Sequence, residues 1–377
     1  MKIANVEAIH IRIEDPNIGL FDGSYDDCLI VVTTDEGLTG IGEVESFSPG
    51  IKAIVEGPSS HNHAKGLREV LSGKDPTDPE ALWEEMYDAT NYVGRRGMMM
   101  HAIGGVDIAL WDIAGQAAGK PIHELLGGKV RDRVQAYGTI YPMARTPDAV
   151  KAQIADSQKM NLTAHKFCAD PWWHDDIKLT EKLLKAARQE AGNDAKLIID
   201  CALYCHTYEE GARLIPIYKE LGIWFLEAPL PLDNTEGHRK TAEHGIPVGV
   251  GDLGLTHVDE FIDFMDRWGA SICQPDITMV GGFTGLKKIA RAALARKKRV
   301  ITHGYKTNIE IAANLHFLSN HPDEEILEWS TSKSPIRWNT TREKLPVESD
   351  GKVAVPTSPG LGVTPDWDFV NQHRVKY

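Results

Sequence analysis

Six ionisable side chains recur at a nearly constant spacing through the second half of this chain. Asp200 closes "KLIID", Glu227 follows the apolar run of "IWFLEAP", Asp252 ends "IPVGVGD" and Asp276 ends "ASICQPD". His303 comes next in "RVITHG" and Glu328 in "EEILEWS", so the steps are 24 to 27 residues. A carboxylate at the end of an apolar run is costly to bury unless something pairs with it. A single one is readily explained as a helix cap or an ion-pair partner. Three in succession, Asp200, Glu227 and Asp252, would repel one another if brought together, and protons or a cation must relieve this. Hard divalent ions such as Mg²⁺ take oxygen ligands and leave positions open for water and substrate. The three are therefore candidate Mg²⁺ ligands.

The next two groups suit proton transfer. A carboxylate that accepts one imidazole N–H fixes the tautomer and raises the basicity of the other nitrogen. Asp276 beside His303 would make such a general base near neutral pH. A histidine satisfied within a barrel wall is the simpler alternative. Glu328 could donate to or accept from a substrate oxygen. Lys166, in "AHKFCAD", is a candidate cation for a substrate carboxylate or a second base, and it also fits a snorkelling surface lysine. Cys168 shares its strand face. His174, Tyr204, Tyr305 and Lys306 follow strand-like runs and make the site polar. "VGGFTG" (280–285) does not match a P-loop and reads as a turn opening a helix.

The spacing implies one strand and one helix per charged residue. "VQAYGTIY" (134–141) and "TAHKFCA" (163–169) add two strand-like runs to the six, and amphipathic stretches such as "IKLTEKLLKAARQEAG" lie between them. Eight strands alternating with helices predict an α/β fold with a parallel (β/α)₈ barrel. In that fold the carboxyl ends of all strands meet at one face. The first part of the chain is different. "KIANVEAIHIRI" alternates like a strand, and "DDCLIVVTTDEGLTGIGEV" reads as a hairpin turning at "DEG". Ile103, Val106, Leu110, Ile113 and Ala117 share one helix face, with Gly119 and Pro121 as stop signals. "SFSPGIKAIVEGPSSHNHAKG" (46–66) is less regular. The expected division is an α+β domain over residues 1–128, a barrel over 129–338, and a turn-rich tail over 339–377 that packs back on the first domain.

Bulk properties narrow the partners. The chain has 377 residues, 42% hydrophobic and 25% charged, enough for a large domain and a smaller one. Its net charge of −13 argues against nucleic acid and anionic membrane. Five cysteines without framework spacing read as reduced thiols of a cytoplasmic protein. Cys201 and Cys205 alone do not make a zinc site. The N-terminus has no apolar core of a signal peptide, and no run approaches the roughly 20 residues of a membrane span.

The segment "AIGGVDIALWDIAGQAAGKPIHELLGGKVRDRVQAYGT" (102–139), with "LEAPL", "QPDITMVGGFTG", "THG" and "LEW", resembles the enolase superfamily, mandelate racemase-type subgroup. The resemblance covers almost the whole chain. It implies a modified TIM barrel, with an N-terminal capping domain completed by the C-terminal tail. Sites of this superfamily use a Lys or His base with Mg²⁺. The resemblance assigns Asp200, Glu227 and Asp252 to Mg²⁺, His303 with Asp276 to the base, and Glu328 to the electrophile facing the substrate carboxylate. It also implies a homo-oligomer, and specificity from cap loops near 14–25 and 46–62.

Three positions depart from the family pattern. Asp252 stands where Glu is usual, Ala202 where Asn is common, and Lys166-Phe167-Cys168 where two-base racemases carry Lys-x-Lys. A racemase needs a base on each face of the enediolate formed from a 2-hydroxy acid. This chain offers one evident base, which points to dehydration. The expectation is a lyase that converts a sugar acid, aldonate or aldarate, to a 2-keto-3-deoxy acid. A racemase or epimerase using Lys166 as second base is the alternative. A lactonising enzyme fits less well, because those place lysines on the second and sixth strands. A non-catalytic barrel homologue is a third reading. The implied partner is a small hydroxy-carboxylate.

Overall fold

The computed structural model of the chain describes residues 1–15, 23–201, 207–323 and 325–377. Near the N-terminus, β1 (Ile3–Arg12), β2 (Asp26–Thr34) and β3 (Thr39–Val44) form an antiparallel sheet in that order. The hairpin turns where "DEG" predicts it, and Gly37 supplies the φ of 90° that its turn requires. The irregular-looking stretch after it contains a helix, Ser48–Glu56, with a proline in its first turn.

Eight parallel strands follow: β4 (Arg133–Ile140), β5 (Ala164–Cys168), β6 (Lys196–Asp200), β7 (Phe225–Glu227), β8 (Val248–Val250), β9 (Ile272–Cys273), β10 (Arg299–Val300) and β11 (Leu327–Ser330). They fall on the eight apolar runs of the sequence, with β4 starting one residue before its run, and pair in the order β10-β9-β8-β7-β6-β5-β4-β11. The curled sheet is barrel-like. Among the described residues no strand ladder joins β10 to β11. Side chains cross that seam instead. Arg299 Nε lies 3.0 Å from Glu325 Oε1, and the Gly304 N–H donates to Glu328 Oε2 at 3.2 Å.

The tail meets both parts. β12 (Lys352–Ala354) pairs antiparallel with β4. Beyond it, Leu361 N–H donates to Asp112 Oδ1, and Arg374 forms a bridge with Ile11 of β1.

The helix Met98–Ala118 joins the two sheets, and the sequence understates its burial. One apolar face was expected, yet every residue from Ala102 to Gly115 is buried. Ala117 of the expected face is exposed, near the end that Gly119 terminates with a left-handed φ of 63°. Small residues let both faces pack closely. A Cβ on Gly104 would stand 2.5 Å from the carbonyl oxygen of Thr278, on the barrel side. A Cβ on Gly105 would overlap Val44 and reach 2.8 Å from Ile30, on the cap sheet. Asp107 accepts from Thr284 N–H and Oγ1 at 3.0 and 2.7 Å. Asp112 accepts from Ile41 N–H at 3.0 Å and Leu361 N–H at 2.8 Å. "VGGFTG" does open a helix, Gly282–Ala295, and its glycines leave room for Trp83 and Asp107.

Overpacking a tight core typically costs about 1–3 kcal/mol. Gly105→Ala should therefore lower the denaturant midpoint by a corresponding amount. An unchanged midpoint would show that the cap sheet yields without strain.

Candidate active site

Register brings the first carboxylates together. Cys168 of β5 pairs with Asp200 of β6, and Asp200 pairs with Glu227 of β7, so these residues end neighbouring strands side by side. Asp252 lies two residues beyond β8 and completes the group. One carboxylate oxygen from each of Asp200, Glu227 and Asp252 lies within 4.8 Å of the others, and all three residues are buried. The donor set is oxygen only. Asp252 Oδ1 is buried without a hydrogen-bond partner among the described residues. Such a set fits a hard divalent cation.

Electrostatics agree with that fit. Burial, reinforced by the Asp200 charge, pushes the Asp252 carboxyl up to about 7. Burial also drives Glu227 well above the usual carboxylate range; Lys166 opposes this, while Asp200 and Asp252 add to it. In the absence of a metal, protons and an ammonium must do what a cation would do.

That ammonium belongs to Lys166, which is 1% exposed. Its Nζ lies 2.5 Å from Glu227 Oε1, 2.8 Å from Glu328 Oε1 and 3.5 Å from Asp200 Oδ2. Burial alone would lower its pKa, but the Glu227 and Glu328 charges win and hold it well above normal. It is not a surface lysine. The Cys168 thiol, pushed up by burial and then by Asp200, donates to Asp200 Oδ2 at 3.2 Å.

Asp276 and His303, which follow β9 and β10, face each other across a parallel bridge. His303 Nδ1 lies 2.7 Å from Asp276 Oδ2. The other oxygen, Oδ1, accepts from Thr278 N–H at 2.7 Å and Oγ1 at 2.6 Å. Burial would raise the Asp276 pKa, but the His303 hydrogen bond outweighs it and the carboxyl sits below its ordinary value. Burial would lower His303; the Glu328 charge and the Asp276 hydrogen bond reverse that and raise it well above normal. A cation in the adjacent cluster acts in the opposite direction, toward a neutral imidazole. His303 Nε2 is 4.0 Å from Glu328 Oε2. Glu328 is held by Thr139 Oγ1 and the Gly304 N–H, and Lys166 outweighs burial to keep its pKa low.

Most of these groups open on one cavity of about 260 Å³, while Glu227 and Asp276 are fully buried outside its lining. Lys166, Asp200, Asp252, His303 and Glu328 line it, as do Tyr305 and Lys306. His174 is buried in the short helix Trp172–Asp175 and is absent from the described lining. Ala202, Tyr204 and Cys205, together with 16–22 of the expected cap loop, fall outside the described residues.

Sequence reasoning missed three participants. Gln274 donates to Glu227 through Nε2, and Gly249 leaves the space for its amide. Thr139 holds Glu328. Glu45 of the cap enters the cavity wall. Only Gln274 carried a signal, two residues before Asp276 in the same strand-like run.

A curled parallel sheet with carboxylates at successive strand ends, beside a small antiparallel sheet, makes a barrel-like enzyme fold with a buried acidic cluster able to hold a metal ion. Residues 143–369 match the Enolase C-terminal domain-like family, and residues 25–127 match the Mandelate racemase / muconate lactonizing enzyme, N-terminal domain family. The chain belongs to the enolase superfamily, mandelate racemase type. It is 31% identical to an arabinonate dehydratase of Saccharolobus solfataricus, over 88% of this chain and 86% of that one. It is 30% identical to a D-galactarolactone cycloisomerase of Agrobacterium fabrum, over 92% and 91%. The 3,6-anhydro-D-galactonate cycloisomerase structure from Zobellia galactanivorans superposes with a TM-score of 0.88 at 27% identity, covering both chains fully. No helix among the described residues is long and apolar enough to cross a membrane.

An ammonium and a divalent ion would compete for the same oxygens of Asp200 and Glu227. Removing one partner of a buried ion pair typically costs about 3–5 kcal/mol. Lys166→Met should therefore lower the melting temperature of metal-free protein. Added Mg²⁺ should raise that temperature more in the variant than in wild type. Equal shifts would mean that lysine and ion do not compete.

Proposed function

We propose that this chain catalyses the Mg²⁺-dependent dehydration of a sugar acid, an aldonate or aldarate, to a 2-keto-3-deoxy acid. Asp200, Glu227 and Asp252 would hold the metal. The observation that carries the reading is the 2.7 Å hydrogen bond from Asp276 to His303, whose ring lines the same cavity as Asp200 and Asp252. The family's second-strand base position carries the Cys168 thiol, which is engaged with Asp200. The resemblance to an arabinonate dehydratase supports a lyase.

When bound, the cation would draw charge from the substrate carboxylate and so acidify the α-proton. His303 Nε2 takes that proton. Asp276, fixed by Thr278, stabilises the imidazolium. Glu328 and Lys166 face the substrate carboxylate and orient it. The protonated His303 then gives its proton to the departing β-hydroxyl. The C–O bond breaks, water leaves, and the resulting enol becomes the ketone. The division at residues 128 and 338 and assembly as a homo-oligomer belong to the same proposal.

Removing a general base typically slows its step by about 10²–10⁴-fold. His303→Asn should lose dehydration and α-hydrogen exchange in D₂O by a factor of that order, read by NMR at C2. Chelation should abolish activity and Mg²⁺ restore it. Persistent exchange in His303→Asn would make Lys166 a working base and the enzyme a racemase or epimerase. Full activity in excess chelator would refute the ligand assignment.

A further inference from the structure

The cap brings one carboxyl group to the reacting end of the cavity. One carboxylate oxygen each from Glu45, Asp276 and Glu310 and one ring nitrogen of His303 lie within 4.8 Å of one another. Of these four side chains, Glu45 and His303 are the two on the described lining of the cavity. Asp276 is engaged by His303 and Thr278, and Glu310 accepts from the Lys306 N–H at 2.9 Å.

The main chain at Glu45 is fixed by the residue that supports the dyad. The Glu45 N–H donates to Thr278 Oγ1 at 3.0 Å, and that hydroxyl donates to Asp276 Oδ1 at 2.6 Å. The side chain of Glu45 is short of partners. Its Oε2 is buried without a hydrogen-bond partner among the described residues. Its Oε1 lies 4.0 Å from Lys306 Nζ, whose hydrogen bonds go to the Gly23 and Asp26 carbonyls. A buried carboxyl with few donors favours its neutral form. Burial raises the Glu45 carboxyl accordingly, against the opposing Lys306 charge. Glu45 and His303 also bias each other: the imidazolium charge lowers Glu45, and the Glu45 charge raises His303. Two groups coupled in this way suit the passage of one proton between them.

Dehydration as proposed above leaves one proton without a source. His303 takes the α-proton and returns it to the departing hydroxyl, so its ring is neutral when the enol forms. Converting that enol to the 2-keto-3-deoxy acid needs an acid at C3 and a base at the C2 hydroxyl.

We propose that Glu45 is a catalytic residue that delivers the C3 proton of the product, while His303 accepts the proton of the enol hydroxyl. This inference rests on the dehydratase reading and extends it to the last step. The C2=C3 electron pair takes the Glu45 proton and becomes the C3–H bond. The enol O–H bond breaks, its proton goes to His303 Nε2, and its electron pair completes the C2 carbonyl. The imidazolium then returns the proton to the Glu45 carboxylate, directly or through one water, and both groups are restored.

The test runs wild type, Glu45→Gln and Glu45→Asp with Mg²⁺ in D₂O on a panel of five- and six-carbon aldonates and aldarates. NMR at early times reads where deuterium enters C3 of the keto acid. Wild type should favour one of the two C3 positions by at least about tenfold, because a positioned acid acts from one face. Glu45→Gln keeps the shape but has no acidic proton. It should consume the acid at a reduced rate, label both C3 positions about equally, and form ketone only after a lag. Glu45→Asp should regain one-sided labelling. A merely structural role would slow turnover and leave the labelling one-sided. One-sided labelling in Glu45→Gln, or unselective labelling in wild type, would overturn the inference. Infrared difference spectra of metal-free wild type and Glu45→Gln at neutral pH check the proton itself. The variant should lack a neutral-carboxyl C=O band; loss of a carboxylate band instead would also overturn the inference, whether or not the variant turns over. If wild type turns over none of the acids, the dehydratase reading fails and this step falls with it, whereas turnover with unselective labelling removes this step alone.

Discussion

Three carboxyl groups buried within reach of a single ion cannot all keep their charge unaided. That repulsion is the constraint around which the site is organised. Burial and mutual charge raise Glu227 and Asp252, and the Lys166 ammonium sits among the oxygens as a partial answer. The surrounding barrel holds this costly arrangement in place. Strand register sets Asp200 beside Glu227, and the absence of a side chain at Gly249 admits the Gln274 amide to Glu227. A site that strains against its own charge would be stabilised by a cation bound among these oxygens.

The cap takes part in the same electrostatics. Glu43, fully buried on β3, accepts from the Thr307 N–H at 2.9 Å and the Glu310 N–H at 2.8 Å. These are the N–H groups of the N-cap residue and of the third residue of the helix Asn308–Asn320, and a carboxylate there answers both the unpaired donors and the helix dipole. Lys306, four residues earlier than Glu310, reaches the Gly23 and Asp26 carbonyls. The segment that follows His303 is thus pinned to the cap from both directions.

Much of this was legible in the sequence for a physical reason. A parallel barrel strand is a short apolar run, and a functional carboxylate at its end interrupts the hydrophobic pattern conspicuously. The six ionisable positions and their strands could be read that way, and β4 and β5 as strand-like runs alone. Partnerships could not. Nothing in "AHKFCAD" says that Lys166 is bound to Glu227 and Glu328, because those residues come from strands far along the chain. Glu45 was invisible because its neighbours, Asp276, His303 and Glu310, come from the segments after β9 and β10 and from the helix beyond. The helix Ser48–Glu56 was lost among glycine and serine, although its Ser-Pro start is a helix signal. The helix Met98–Ala118 looked one-sided because Gly104 and Gly105 do not register as apolar, yet neither leaves room for a side chain against its neighbour.

That helix touches the barrel through Gly104 and the cap sheet through Gly105, with Asp107 and Asp112 fastened to opposite sides. Adjacent residues on one rigid rod therefore report to two different bodies. The two parts of the chain cannot diverge independently at this junction. A cap borrowed from a relative would have to bring a matching β3 surface, and a borrowed barrel a matching loop before Gly282. Inheritance of the cap sheet is thereby tied to inheritance of the barrel, and recombination between relatives would succeed only when this helix travels with both of its partners.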